Sequence, residues 1–508
     1  MAKYYLTTAI DYANGDPHLG HALEKVGADC LVRYRRLRGD AVHFVMGMDE
    51  HGQKVALAAE KAGVAPAEWV AEISERFAST WRALHCSEDD WIRTTEPRHH
   101  FAVTEFLRRI QERNPGDLFM GEYEGLYCVG CEEFKQESQL LNGRCVEHPE
   151  RDLVRMKETN HFFRLSRYGP RILELIRSGT FRVEPAIRRN EVVKVLEGGL
   201  EDVSISRARF PWGIPFPGDP EHTVYVWFDA LINYITAAGF PHEGWDRLWP
   251  ADVHVIGKGI TRLHCCLWPA MLLAAELPLP RMVWAHGYVQ WDGAKVSKSS
   301  GTAVSVATAM ARHGPDALRY FLLREVGFEG DGNFTWERFD DRYTADLADG
   351  LGNLAARSLA MLAKYREGVV PSDAAETTLD EAGTRAVEGY ARAMDRFDIR
   401  GGADAAFALV SDANQYIVQT APWTLAKQGR DAELDRALAS LARCLFRLAV
   451  LVAPFMPERA LVLWQSLGRT GAPGDLEWNA LGNPPVAGNR TVRGPVLFPK
   501  PEPPKVMS

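Results

Sequence analysis

The sequence predicts an α/β protein: a doubly wound parallel sheet, interrupted by an inserted segment and followed by an α-helical bundle. Three observations carry this reading. Two β-α-β patterns stand far apart in the chain, near residues 3–49 and 252–290. Between them lies a stretch of different character, with Gly-rich turns, clustered cysteines and the Pro-rich run FPWGIPFPGDP. Beyond about residue 330 the strand signals stop and long helical periodicity takes over. At 508 residues the chain also exceeds the size at which one hydrophobic core keeps growing, so several domains are expected.

In chain order, a strand runs from Lys3 to about Ile10. After the turn at Gly15-Asp16-Pro17 an amphipathic helix reaches about Arg38, and VHFVMGM forms a second strand ending at Asp49. The later unit reads DVHVIGK (252–258) as strand, TRLHCCLWPAMLLAAE (261–276) as an apolar helix and RMVWAHGYVQ (281–290) as one strand. We therefore expect a Rossmann-like domain in two halves, 1–115 and 225–325, with its ligand crevice at the carboxyl ends of the strands. Residues 116–224 form the insertion, 326–350 a connecting region with the helices that follow a lysine-bearing loop, and 351–508 the helical domain and Pro-rich tail. TTLDEAGTRAVEGYARAMDRF opens on a Thr/Asp cap, and AELDRALASLARCLFRLAVLVAPF continues the bundle.

With 46% hydrophobic and 25% charged residues the composition is that of an ordinary globular protein, and no apolar run approaches the roughly 18 residues of a membrane span. The start, MAKYYLTTAIDY, enters a strand without the zones of a signal peptide, so the cytoplasm is expected. A net charge of -8 argues against indiscriminate nucleic-acid binding but leaves room for a local basic face. Of eight cysteines, Cys30, Cys86, Cys265, Cys266 and Cys444 are scattered, as buried thiols are. Cys128-x2-Cys131 and, thirteen residues on, Cys145-x2-His148 make two chelating pairs whose spacing suits a closed, tetrahedral structural zinc knuckle.

His18 and His21 stand three apart at the predicted opening of the first helix, where backbone N–H groups already attract anions. Both imidazoles could donate to phosphate oxygens; taken alone, they fit a helix cap and a buried histidine equally well. WDGAKVSKSSG (291–301) leaves the late strand carrying Lys295 and Lys298, which suits a clamp on phosphate charge or, more blandly, a solvated hairpin.

Together the two features resemble the HIGH and KMSKS signatures of class I aminoacyl-tRNA synthetases. The resemblance extends over nearly the whole chain to the methionyl-tRNA synthetase family, through YANGDPHLGH, MDEHG, EGLYCVGC, YVWFDALINY, IGK, LWPAML, HGYV, KVSKS, DALRYFLLRE, LGNL and APW in that order. It implies a ligase that activates L-methionine with MgATP and passes it to the terminal adenosine of initiator and elongator tRNA(Met). His18, His21, Lys295 and Lys298 would be catalytic. Gly20, Gly257, Lys258, Val289 and Ser297 would complete the ATP site. Asp49 would bind the α-amine of methionine, and Ile10, Tyr12, Trp227, Ala230, Leu231, Tyr234 and His286 would line its side-chain slot. Trp423 would stack on the anticodon, with Asn353 and Arg357 reading base edges.

Two departures stand out. Gly259 occupies the place where many relatives carry an acidic ribose contact, and Asp11 stands where an uncharged residue is common. The ending without an appended dimerising module leads us to expect a monomer, and without an inserted hydrolytic domain any editing would use the synthetic site. Two other readings remain open at this level: a class I synthetase of different amino-acid specificity, and a synthetase-like tRNA-binding protein that has lost adenylation.

Overall fold

A computed structural model describes residues 2–500 except 129–132, 136–139, 147–149, 151, 209, 211, 292–293, 296–303 and 373–374, with backbone alone at 123–124, 133–134, 156, 291 and 294–295. The central sheet is built from β1 (Lys3–Thr8), β2 (Asp11–Tyr12), β3 (Ala41–Asp49), β4 (Asp90–Arg93), β5 (Arg182–Glu184), β6 (Val253–Gly257) and β7 (Met282–His286). Its order is β5-β7-β6-β1-β3, with β2 and β4 both on β3, and every pairing is parallel. β1 lies between β3 and β6, so the chain winds away from it in both directions and leaves a crevice at the carboxyl ends of β1 and β6.

The helix after β2, α1 (Leu19–Leu37), is buried along most of its surface, including the charged residues Glu24, Lys25 and Asp29. The cause is its place between two layers. One apolar cluster joins α1 residues Leu23 and Val26 to Phe44 and Val255 of the sheet and runs on into Tyr390, Leu445 and Phe455 of the helical bundle. The opposite face of the sheet packs Tyr5, Val45 and Ile256 against Phe106, Phe228 and Trp268 in a second cluster. The bundle itself is led by Thr378–Met394, Ile399–Thr420 and Asp431–Val452, the first capped reciprocally by Thr377 and Asp380 as the Thr/Asp cap predicts. Among the described residues no helix is long and apolar enough to cross a membrane.

Within the insertion, the strands Leu118–Cys128 and Val154–Phe163 pair antiparallel, and a separate three-stranded sheet contains Ser206–Ala208, Asp219–Val224 and Pro215–Phe216. Residues 182–184 return from this segment to the main sheet as edge strand β5.

Two expectations for the second β-α-β unit need correction. RMVWAHGYVQ is not one strand: β7 ends at His286, and Val289–Trp291 turns to pair with Ala294–Lys295 and Gly332–Phe334. The break has a local cause, because the backbone of Gly330 and Asp331 comes so close to Gly287 that a Cβ there would collide with it, while Asp331 accepts from the Tyr288 N–H at 2.9 Å. The helix over 261–276 is also irregular. Pro269 has no N–H to give, and the turn before it widens into a π-helical turn, Leu263–Leu267, closed by Trp268 N–H on the Leu263 carbonyl.

Candidate active site

His18 is the N-cap of α1, and its ring and that of His21 stack at 3.7 Å with 15° between their planes. His18 Nδ1 accepts from the backbone N–H of Gly20 at 3.1 Å and of His21 at 3.4 Å, while His21 Nδ1 accepts from the N–H of His18 at 3.3 Å. A ring nitrogen that accepts carries no proton, so each neutral imidazole holds its hydrogen on Nε2. Each ring therefore serves the helix through Nδ1 and carries its N–H at the opposite nitrogen, Nε2.

The backbone of Lys295 pairs with Gln290, and its side chain, Ser297 and Lys298 lie outside what the structure describes. The far end of that loop is described, and Ser305 forms an antiparallel bridge with His18. Ser305 then caps the helix Val306–His313, accepting from Thr308 N–H at 3.0 Å. The lysine-bearing segment is thus anchored on one side by a strand after β7 and on the other by the histidine signature.

Between these anchors a row of buried charges runs along the carboxyl edge of the sheet. Lys25 Nζ lies 3.1 Å from Asp11 Oδ1, 2.8 Å from Glu24 Oε1 and 2.6 Å from the carbonyl of Ala9. Glu24 Oε2 is 3.1 Å from His286 Nε2, whose Nδ1 is 2.7 Å from the Gly287 carbonyl. Burial pushes the Asp11 carboxyl up to about 6 against the pull of Lys25. Burial also acts on Glu24, but Lys25 and His286 outweigh it and hold that carboxyl below its ordinary value. Asp11, which the sequence leaves without a partner, is the counter-ion of a fully buried lysine. Glu24 and Lys25 escaped the sequence reading because charges on a helix read as a solvated face; their position directly after HLGH was the available signal.

The residues expected around methionine meet at this edge. Asp49 ends β3, is buried, and pairs in register with Tyr12; it does not cap the next helix, whose N-cap is Gly52. Tyr12 and Trp227 face each other with ring centroids 6.5 Å apart. Ala230, Leu231 and Tyr234 are buried, and the Tyr234 hydroxyl lies 2.6 Å from His264 Nε2. Ile10 and Val289 pack into the two apolar clusters on either side. Behind Trp227, Asp229 joins His51 Nδ1 at 2.9 Å and His99 Nε2 at 3.3 Å; burial opposes its charge, yet the two histidines keep its carboxyl below its ordinary value. Neither His51 nor Asp229 was singled out from sequence, although both lie inside the quoted motifs MDEHG and YVWFDALINY.

On the nucleotide side, Gly257 ends β6, where a Cβ would lie 3.6 Å from His286 Nε2, an ordinary contact. At Gly259 a side chain would collide with the hydroxyl of Tyr288. That tyrosine ring lies 4.6 Å under the Lys258 ammonium, which pairs with Asp331 at 2.7 Å. The space beside Gly259 is thus taken by a phenol, with a carboxylate held beside it.

Of the expected knuckle ligands, Cys128 ends the strand Leu118–Cys128 and Cys145 lies in Arg144–Cys145; both are fully buried, and Cys131 and His148 lie outside the described residues. At the helical end Asn353 opens the helix Asn353–Arg366 and is exposed, Arg357 is half-buried one turn on, and Trp423 on Pro422–Lys427 is 46% exposed.

Comparison with known proteins agrees with this geometry. The family profile described as tRNA synthetases class I (M) matches residues 4–153 and 135–359, and that of the anticodon binding domain of methionyl tRNA ligase matches 367–500. The chain is 41% identical over 507 residues to a methionine–tRNA ligase of Caldanaerobacter subterraneus subsp. tengcongensis, covering 98% of this chain and 78% of that one. It is 40% identical over 526 residues to the methionine–tRNA ligase of Streptomyces coelicolor, covering 98% and 96%. Mycobacterium tuberculosis methionyl-tRNA synthetase, solved in complex with methionyl-adenylate, superimposes with a TM-score of 0.93 at 40% identity, over 98% of this chain and 100% of that one.

Proposed function

This chain belongs to the methionyl-tRNA synthetase family of class I tRNA synthetases, and we propose how its residues divide the work of a methionine–tRNA ligase. A carboxylate oxygen of methionine attacks the α-phosphorus of MgATP, and the bond to the leaving pyrophosphate breaks in line. The extra charge on the phosphate oxygens is met by Nε2–H of His18 and His21 and by the N-terminus of α1. Lys295 and Lys298 take the charge of the departing pyrophosphate, with Gly257, Lys258, Val289 and Ser297 along the adenosine. The ribose hydroxyl of the terminal adenosine then attacks the methionyl carbonyl and AMP leaves. No protein nucleophile is needed.

Asp49 would hold the α-ammonium, and the aromatic slot from Tyr12 and Trp227 to Tyr234 and His286 would take the thioether. For the knuckle, two thiols in buried strand ends fit a closed zinc site, which Cys128, Cys131, Cys145 and His148 would hold; the ion supplies a cross-link and no chemistry. Trp423, Asn353 and Arg357 would read the anticodon of initiator and elongator tRNA(Met). A tRNA substrate is met where proteins are made, which supports the cytoplasm. One chain holds both the phosphate-handling signatures and the helical end, so the scheme needs only a monomer.

The observation that carries this reading is the bridge from Ser305 to His18, which ties the end of the lysine loop to the two imidazoles. ATP–pyrophosphate exchange tests it. Exchange should depend on methionine alone among the amino acids and fall in Lys298→Ala and His21→Ala by about 10²–10³. Dependence on leucine or cysteine would assign another specificity. Absence of exchange with every amino acid would mean adenylation has been lost.

A further inference from the structure

We propose that His161, Asp219 and His222 form a second metal site in the insertion, separate from the cysteine knuckle and suited to a divalent transition ion such as zinc. Their ligand atoms all lie within 4.8 Å of one another. His161 comes from Val154–Phe163 in one sheet, Asp219 and His222 from Asp219–Val224 in the other, so an ion here would clip the two sheets together.

The hydrogen bonding calls for a cation at this point. His222 Nε2 lies 2.9 Å from the carbonyl of Thr159, which can only accept, so the proton of the neutral ring sits on Nε2 and Nδ1 presents a lone pair. That lone pair is 2.8 Å from Asp219 Oδ2, an acceptor as well. Distance alone does not make a hydrogen bond: Nδ1 is buried and has no hydrogen-bond partner, so a proton placed on it would not point at the carboxylate. A metal ion on the lone-pair axis meets the nitrogen head-on and the carboxylate from the side. His161 Nε2 reaches the same oxygen at 2.8 Å.

The ligands are also held in place before any ion arrives. Phe216 stacks on the His161 ring at 3.8 Å with 8° between planes, and the two imidazoles stand nearly perpendicular, at 83°. A backbone carbonyl on the far nitrogen, as Thr159 provides for His222, is the usual orienting partner of a metal-bound imidazole. Two imidazoles and a carboxylate are a donor set for zinc, cobalt or nickel rather than magnesium or calcium. The side chains are 16%, 29% and 12% exposed for His161, Asp219 and His222, which leaves room for water to complete the shell.

The test is zinc bound per full-length chain, by metal analysis after dialysis against buffered micromolar zinc, together with melting in the presence and absence of zinc. His222→Ala and Asp219→Asn should each hold about one ion fewer than the parent, while Cys145→Ser should lose a different ion, so that a Cys145→Ser/His222→Ala double variant loses both. Zinc should raise the melting temperature of the parent more than that of either site variant. If His222→Ala folds poorly without zinc, Asp219→Asn, which keeps the side chain's size, reads the same loss. Parent-like zinc content and parent-like stabilisation in Asp219→Asn would overturn the proposal.

Discussion

The ring of His18 crowds Gly20, where a Cβ would sit 3.0 Å from its Cε1 and 3.1 Å from its Nδ1, so that a side chain there would push the ring by a few tenths of an ångström. The glycine between the two histidines thus favours their stacked geometry. Gly20→Ala should separate stability from activity. Alanine is the better helix former, so the melting temperature should hold or rise, by up to about 1 kcal/mol in stability. The ring of His18 must tilt, and misplacing a donor by a fraction of an ångström to one ångström lowers the exchange rate by up to about a hundredfold. Parent-like exchange with unchanged melting would show that the direction of Nε2–H is immaterial. The same close packing accounts for Gly259: the Tyr288 hydroxyl fills the space into which an acidic side chain would project.

At the scale of the element, α1 begins on a residue that caps it and, in the proposed scheme, also donates to phosphate, and substitution can divide the two. Asparagine is among the best N-caps and could accept the backbone N–H groups that His18 Nδ1 now receives; alanine cannot. His18→Asn and His18→Ala should lose exchange alike, but only His18→Ala should lose about 1 kcal/mol of stability in urea denaturation. Equal stability of the two would remove the capping role. What could be read in advance follows the same division. β1, α1 and β3 are long and periodic, so pattern alone located them, and HLGH placed the imidazoles at the helix start. β5 has three residues and no period to read. The split of 281–290 depends on the bend at Gly330 and Asp331, some forty residues on, pressing against Gly287, and nothing local signals it. Asp11, Lys25, Glu24 and His286 became a row only because this face of α1 lies against the sheet, where Lys25 reaches the Ala9 carbonyl and Glu24 reaches His286 at the end of β7. The Cys/His spacing made the knuckle legible, whereas His161, Asp219 and His222 converge from strands nearly sixty residues apart.

Across the whole molecule one arginine joins the α/β half to the helical domain. Arg319 is fully buried and spends its donors on four partners: Asp29 of α1 at 2.7 Å, the carbonyl of Leu84 at 3.0 Å, and the carbonyls of Pro454 and Phe455 in the helical domain at 2.8 and 3.0 Å. A planar guanidinium can satisfy all four at once; an ammonium cannot. Burial works against the Asp29 charge, yet Arg33 and Arg319, with Ser87, hold its carboxyl down at about 2. Arg319→Met should cost about 3–5 kcal/mol, because it leaves a carboxylate and three carbonyls buried without their donor. The sign of the pH dependence follows from the depressed value. The stabilisation from Asp29 is complete above the unfolded carboxyl range near 4 and is lost as pH falls toward about 2. The parent should therefore lose stability across that acid window more steeply than Arg319→Met, in which only Arg33 and Ser87 remain on the carboxylate. In the proposed scheme adenylation uses the α/β half alone, whereas charging requires the helical end and the crevice to be held at a fixed separation. At a temperature where Arg319→Met is still folded, methionine-dependent exchange should stay near the parent rate while aminoacylation of tRNA falls. Equal losses in the two assays would mean that the arginine stabilises the fold without setting the geometry between the domains.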